Sequence, residues 1–258
     1  MSNLINALKD LIIKTGEIAL DIKKVGLVVE DKLDGSPVSN ADKEISELIY
    51  RDLQILTPSV TIICEEQPLP LLNSDTFWLI DPIDGTKSYI SGKDTYTINM
   101  GLIKNGIPTI GLIYQPSNAK LYYTDANGNL KIEQNSVEIP LLGATNQESK
   151  KNGFNAVISF HHQNKATTNF LDKYLINKIE SIASSIKLCL IAEGEADLYP
   201  KLGGQTMEWD IAAGHALIKA SGGNIFDLDG KEISYGKKNF ANPDFFACSS
   251  YWLQKNIA

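Results

Sequence analysis

Apolar residues recur at helical spacing from the start of the chain: Leu4, Leu8, Leu11, Ile12, Ile18, Ala19 and Ile22, with polar residues between them. That period predicts a long amphipathic helix over residues 3–24. Glycine and polar residues follow, and Asp34-Gly35-Ser36-Pro37 reads as a turn. Ser39-Asn40-Ala41-Asp42 then opens a second helix. Its core face is Ile45, Leu48, Ile49, Leu53 and Leu56, and Pro58 stops it. Beyond Pro58 the spacing shortens to that of strands. Val60-Thr61-Ile62-Ile63-Cys64 predicts a short strand that delivers Glu65 and Glu66 at its end, and Phe77-Trp78-Leu79-Ile80 predicts another. Residues 95–103 and 108–115 predict neighbouring strands joined by Lys104-Asn105-Gly106, and Leu121-Tyr122-Tyr123 starts a hairpin turning near Asn127-Gly128.

The polar stretch 144–153 is the best candidate boundary. After it, strand 155–160, helix 166–177, strand 179–183, helix 185–193 and strand 196–199 alternate. A helix from Asp210 to Ser221 is ended by Gly222-Gly223. The expected fold class is α+β, in two lobes each with a sheet covered by helices. Residues 1–145 form the first lobe and 146–258 the second, together making one catalytic unit.

Chemistry concentrates where the strand at 77–80 runs into Asp81-Pro82-Ile83-Asp84-Gly85-Thr86. Pro82 has no N–H and a fixed φ, so the chain is expected to leave the sheet there. Gly85 allows backbone to approach a ligand closely, and Thr86 suits the cap of a following helix. Two carboxylates on one turn repel each other unless a cation lies between them, and hard oxygen ligands suit Mg²⁺. A helix start beside them offers N–H groups to a phosphate. Asp42, Glu65-Glu66 and Asp210 add three more acids where a strand ends or a helix begins. Each has a local explanation: a capping box with Ser39, a solvated loop, an N-cap. The set together is what points to a metal-dependent site.

Composition narrows the partners. A net charge of −7 argues against a nucleic-acid surface but leaves room for a small anion held by metals and a few lysines. Hydrophobic content of 43% and charged content of 21% are those of an ordinary globular protein, and no apolar run is long enough for a transmembrane segment. Cys64, Cys189 and Cys248 lie far apart, without a paired spacing, and read as small buried residues of a reducing cytosol. The expected location is cytoplasmic, with peripheral association at the inner membrane left open.

Asp42, Glu65-Glu66, Asp81-Pro82-Ile83-Asp84-Gly85-Thr86 and Trp209-Asp210-Ile211-Ala212-Ala213, in that order, resemble the metal motif of the inositol-monophosphatase superfamily. The resemblance implies Mg²⁺-dependent, lithium-sensitive phosphatases and a layered αβαβα sugar-phosphatase fold. It implies a first Mg²⁺ on Glu65, Asp81 and the Ile83 carbonyl, and a second on Asp81, Asp84 and Asp210. A weaker third would be touched by Asp42 through water. Thr86 with Glu65 or Asp42 would orient and deprotonate the attacking water, and Gly85 and Thr86 would bind phosphate oxygens.

Ser184-Ser185-Ile186-Lys187-Leu188-Cys189, Ala192-Glu193-Gly194-Glu195-Ala196-Asp197-Leu198-Tyr199-Pro200 and Met207-Glu208-Trp209-Asp210 are similar to the branch of 3′(2′),5′-bisphosphate nucleotidases of the CysQ type. That likeness implies removal of the 3′-phosphate of adenosine 3′,5′-bisphosphate, with the sulfated form (PAPS) as a second substrate, in sulfate assimilation. Ser184 and Lys187 would hold the 5′-phosphate and His162 would lie near the nucleotide. Lys201 stands where related nucleotidases carry Arg, a point charge in place of a fork. By spacing alone, Lys187 reads as an exposed lysine and His215 as a packed histidine. The alternatives are an inositol- or sugar-monophosphate phosphatase and a non-catalytic binding protein on the same fold.

Overall fold

The computed structural model describes residues 1–32, 35–141, 153–160, 164–204 and 206–256. The first half contains helix α1 (Ser2–Val25), strands β1 (Val29–Asp31) and β2 (Pro37–Ser39), helix α2 (Asn40–Leu56), strands β3 (Thr61–Cys64) and β4 (Thr76–Asp84) and the short helix α3 (Thr86–Ile90). It continues through β5 (Thr97–Lys104), β6 (Ile107–Gln115), β7 (Lys120–Thr124), β8 (Leu130–Gln134) and β9 (Val137–Ile139). The second half runs β10 (Phe154–Ser159), α4 (Lys165–Leu171), β11 (Ile176–Ile182), α5 (Ile186–Glu193), β12 (Leu198–Lys201), α6 (Glu208–Ala220), β13 (Asn224–Asp227), β14 (Phe245–Cys248) and α7 (Ser250–Asn256).

Strands β3 to β9 form a seven-stranded sheet in sequence order, antiparallel except for the parallel pair β3–β4. The second sheet has the order β11-β10-β12-β14-β13. Side chains alternate faces along a strand, and both sheets use both faces. On β4, Trp78 and Ile80 pack with α1 and α2, while Phe77 and Leu79 pack with α5 and α6. On β14, Phe245 and Ala247 join that same middle layer, while Phe246 and Cys248 join α4 and α7. The result is five layers, αβαβα, with α5 and α6 shared by the two sheets.

Small residues set how deeply α6 seats. A methyl group on Gly111 would lie 2.3 Å from the Ala213 carbonyl oxygen, and one on Gly101 would lie 2.9 Å from the Ala213 nitrogen. Only glycine lets the helix backbone rest directly on β5 and β6. Overpacking of this kind typically costs about 1–3 kcal/mol, and here it would lift the helix that carries Asp210.

Several local expectations shift. Pro82 does not end its strand: β4 continues to Asp84, with a register irregularity between Asp81 and Asp84, a place where a missing N–H is tolerated. The helix expected over 166–177 stops at Leu171, and β11 begins at Ile176 because parallel pairing with β10 claims residues 176–182. Helix α6 starts two residues before Asp210, which is therefore its third residue and not its N-cap. Gly85, with φ +93°, is the cap residue of α3, and Thr86 opens the helix. Most of the predicted boundary 144–153 lies outside the described residues.

Candidate active site

Four chain segments bring the acids together. Parallel pairing of β3 with β4 sets Cys64 beside Ile80, so Glu65, whose N–H donates to the Ile80 carbonyl at 3.1 Å, emerges next to Asp81. The irregular end of β4 turns Asp84 into the same cleft. Asp210 arrives from the first turn of α6, where its carboxylate accepts from the Met207 N–H at 2.8 Å. Oxygens of Glu65, Asp81 and Asp210 all lie within 4.8 Å of one another.

Asp42 combines both roles considered for it. It completes the capping box of α2, accepting from the Ser39 N–H at 2.8 Å. Its other oxygen lies 3.3 Å from the Thr86 hydroxyl, which is also 3.0 Å from the Ile83 carbonyl. Thr86 thus faces an acid and the carbonyl named as a metal ligand.

Electrostatics make this acid cluster costly by itself. Burial, then the neighbouring Glu65, Asp84 and Asp210, push the Asp81 carboxyl well above its ordinary range. Burial pushes Asp210 well up too, with Asp84 and Glu65 adding to it, and raises Asp84 against the pull of Lys187. Burial also raises Asp42. Asp81 Oδ1 is buried with no hydrogen-bond partner. An orphaned carboxylate oxygen among other acids is stabilised by a cation placed between them, so the donor set fits hard divalent metal ions.

Residues that sequence reasoning passed over support this centre. Lys32 bridges Glu65 at 2.8 Å and Glu66 at 2.5 Å, so these glutamates are not a solvated loop. The Ser185 N–H and Asn99 side chain both reach Asp84, and Ser185 Oγ donates to Asn99 Oδ1 at 2.8 Å. Glu208, fully buried, accepts from the N–H groups of Gly236 and Lys237 at 2.8 and 2.9 Å, tying a distant loop to the start of α6. Only Glu65-Glu66 advertised such a partner in sequence, since paired acids invite a lysine.

Across the cleft stand two lysines. Lys187 is not the exposed residue its spacing suggests: it is 5% exposed, donates to the Ser184 carbonyl, and lies 5.1 Å from the centre of the Tyr199 ring. Burial lowers its pKa to about 8, helped by Lys201 and opposed by Asp84. Burial lowers Lys201 as well, opposed by Asp210 and Asp244. Glu65, Asp84, Gly85, Thr86, Ser184, Lys187, Lys201 and Asp210 all line one cleft. His162 lies outside the described residues. His215 is packed as expected, fully buried against Tyr235 and Asn224.

Among the described residues no helix is long and apolar enough to cross a membrane. The family model described as the inositol monophosphatase family matches residues 1–257. The 3′(2′),5′-bisphosphate nucleotidase CysQ of Escherichia coli K12 is 36% identical over 221 residues, 84% of this chain and 87% of that protein. The protein of the same name from Buchnera aphidicola is 35% identical over 234 residues, 85% and 83% of the two chains. The crystal structure of CysQ from Bacteroides thetaiotaomicron superposes with a TM-score of 0.79 at 30% identity, covering 96% of this chain and 97% of that one. The matched family model spans nearly the whole chain, and carboxylates of Glu65, Asp81 and Asp210 from three segments of it converge. The chain belongs to the inositol monophosphatase family.

Proposed function

We propose that the chain is a Mg²⁺-dependent phosphatase that removes the 3′-phosphate of adenosine 3′,5′-bisphosphate, giving AMP and phosphate. One observation carries this reading: a buried acid cluster and two buried ammonium groups, Lys187 and Lys201, line the same cleft. A substrate with two phosphates suits two cationic subsites. A monophosphate would leave that second subsite without a phosphate. The relatives named for 3′(2′),5′-bisphosphates support the same choice.

Glu65, Asp81 and the Ile83 carbonyl would hold one Mg²⁺, and Asp81, Asp84 and Asp210 a second. Asp42 would touch a third through water. Bound there, the ions would place positive charge on the phosphoryl oxygens and make a water more acidic. Thr86, between Asp42 and the Ile83 carbonyl, would orient that water, with Asp42 or Glu65 taking its proton. The backbone at Gly85 and Thr86 would hold phosphate oxygens. Ser184, Lys187 and Lys201 would bind the 5′-phosphate, and His162 would sit near the nucleotide. That subsite also accommodates PAPS, whose conversion to adenosine 5′-phosphosulfate would place the enzyme in cytoplasmic sulfur assimilation.

The test is kcat/KM for adenosine 3′,5′-bisphosphate and for 3′-AMP, on wild type and Lys187→Ala. Removing a charge-assisted contact of about 1.5–3 kcal/mol should depress the bisphosphate value roughly 10- to 100-fold. Lys187 also lies in the field of Asp84, and that contribution acts on both substrates, so the ratio between them isolates the second phosphate. An equal loss on both refutes the subsite. A wild type that prefers inositol 1-phosphate makes the chain an inositol monophosphatase.

A further inference from the structure

Strand β5 places two polar side chains on a face that is otherwise core. Thr97 and Asn99 share that face with Gly101, which lies under α6, and are 0 and 1% exposed. Ser185, 3% exposed, meets them from the start of α5. It occupies the N-cap position of that helix, where a serine hydroxyl ordinarily accepts from first-turn N–H groups, yet its side chain makes no cap bond. The hydroxyl lies instead 2.7 Å from the Thr97 hydroxyl and 2.8 Å from Asn99 Oδ1. Polar groups this deeply buried are costly unless each is bonded, and here each is.

The last member of this chain of bonds fixes the direction of the others. An ionised carboxylate only accepts, so Asn99, whose Nδ2 lies 3.5 Å from Asp84 Oδ2, turns its NH₂ toward Asp84. Its Oδ1 then accepts the single proton of the Ser185 hydroxyl. Thr97, left with Ser185 Oγ as its acceptor, donates to it. Every hydrogen points toward Asp84. The Ser185 N–H reaches the same carboxylate directly. The residue before it, Ser184, holds φ +58°, a left-handed conformation unfavourable for a residue with a side chain.

We propose that Thr97, Ser185 and Asn99 are positioning residues, a directed relay that fixes the Asp84 carboxylate for Mg²⁺ without contributing a ligand atom. The proposal rests on the reading of Asp84 as a metal ligand. Strand pairing sets Thr97 opposite Asp84 and Asn99 opposite Asp81, so the relay grows out of the sheet that carries both acids. Its other end is the first turn of α5, two residues before Lys187. The metal ligand and the ammonium group facing it are therefore held in one frame. Without the Ser185 hydroxyl the Asn99 amide is free to flip, and its oxygen would then face the Asp84 carboxylate.

Calorimetric titration of Mg²⁺ into metal-free protein tests the relay, on wild type, Ser185→Ala, Thr97→Val and Thr97→Ser, with folding checked by circular dichroism. Ser185→Ala should weaken Mg²⁺ binding roughly 10- to 100-fold, the usual effect of removing a group that orients a metal ligand. Thr97→Val keeps the last two links and should weaken it less, and Thr97→Ser, which retains the hydroxyl, should bind as wild type does. In Ser185→Ala, kcat/KM for adenosine 3′,5′-bisphosphate and for 3′-AMP should fall by the same factor, because both substrates need Asp84. Wild-type affinity for Mg²⁺ in folded Ser185→Ala overturns the relay. So does a change in the ratio between the substrates, which would place Ser185 at the second phosphate instead. If Ser185→Ala does not fold, Thr97→Val decides: undiminished affinity overturns the relay, and a loss that Thr97→Ser lacks supports it. A wild type that takes up no Mg²⁺ refutes the metal reading of Asp84, and the relay with it.

Discussion

His215 should make this protein acid-sensitive in a defined window. It lies within α6, the helix that presents Asp210, and is fully buried. Asn224 Oδ1 also accepts from the Ile225 N–H, so it is an acceptor, and His215 Nε2 must donate to it at 2.7 Å. Nδ1, 2.9 Å from the Tyr235 hydroxyl, then accepts. The ring is held in one neutral tautomer. Burial lowers its pKa from 6.5 to about 4, with Lys219 and Lys237 lowering it further and Asn224 and Glu232 opposing. Because the folded pKa lies below the unfolded one, the unfolded chain binds the proton more readily. The contribution is complete above pH 6.5 and is lost as pH falls toward 4. It amounts to about 2 kcal/mol lost by pH 5 and about 3 kcal/mol by pH 4. Urea unfolding followed by tryptophan fluorescence, at pH 7, 5 and 4, should show His215→Gln losing less stability than wild type by those amounts. The carboxylates titrate in both proteins, so the difference between the curves isolates His215. Parallel curves would refute a neutral buried imidazole.

Chelation should abolish turnover, and Asp84→Asn should keep the fold by circular dichroism while losing most activity, since it removes a charged ligand; full turnover after thorough chelation would sink the metal reading, and indifference to high lithium would count against the lithium sensitivity its family implies. Thr86→Ala should lower kcat by roughly 10²-fold while metal binding measured by calorimetry persists, and a near-normal kcat would leave Thr86 only a helix residue. The preference for bisphosphate over 3′-AMP should hold at neutral pH and decline as pH rises past about 8, where Lys187 loses its charge; a ratio flat to pH 10 would remove Lys187 from recognition.

Local pattern alone was enough for much of this protein. Helical periodicity marked α1 and the core face of α2, because burial of one stripe is written into residues three and four apart. The acids were legible as a group because each sits at a strand end or helix start, where a short motif carries its own turn chemistry. Short elements were not: β1, β2 and β9 have three residues each, too few to show a period, and β14 pairs with the distant β12, Cys248 opposite Leu198. Leu171 ended its helix early because β10 pairs with residues 176–182, a long-range contact that helical spacing does not encode. Pro82 stayed in its strand because the bulge between Asp81 and Asp84 removes the need for its N–H.

The ammonium groups divide most sharply between the two sources. Charge and spacing alone made Lys187 a surface residue and left Lys32 unremarked. Burial depends on what packs around a side chain, and only the folded chain sets Lys187 against Tyr199 and beside Asp84, and carries Lys32 to Glu65 and Glu66. Sequence by itself marked which acids are candidates to bind metal. The tertiary structure decided which cations face them, because that depends on contacts between residues far apart in the chain.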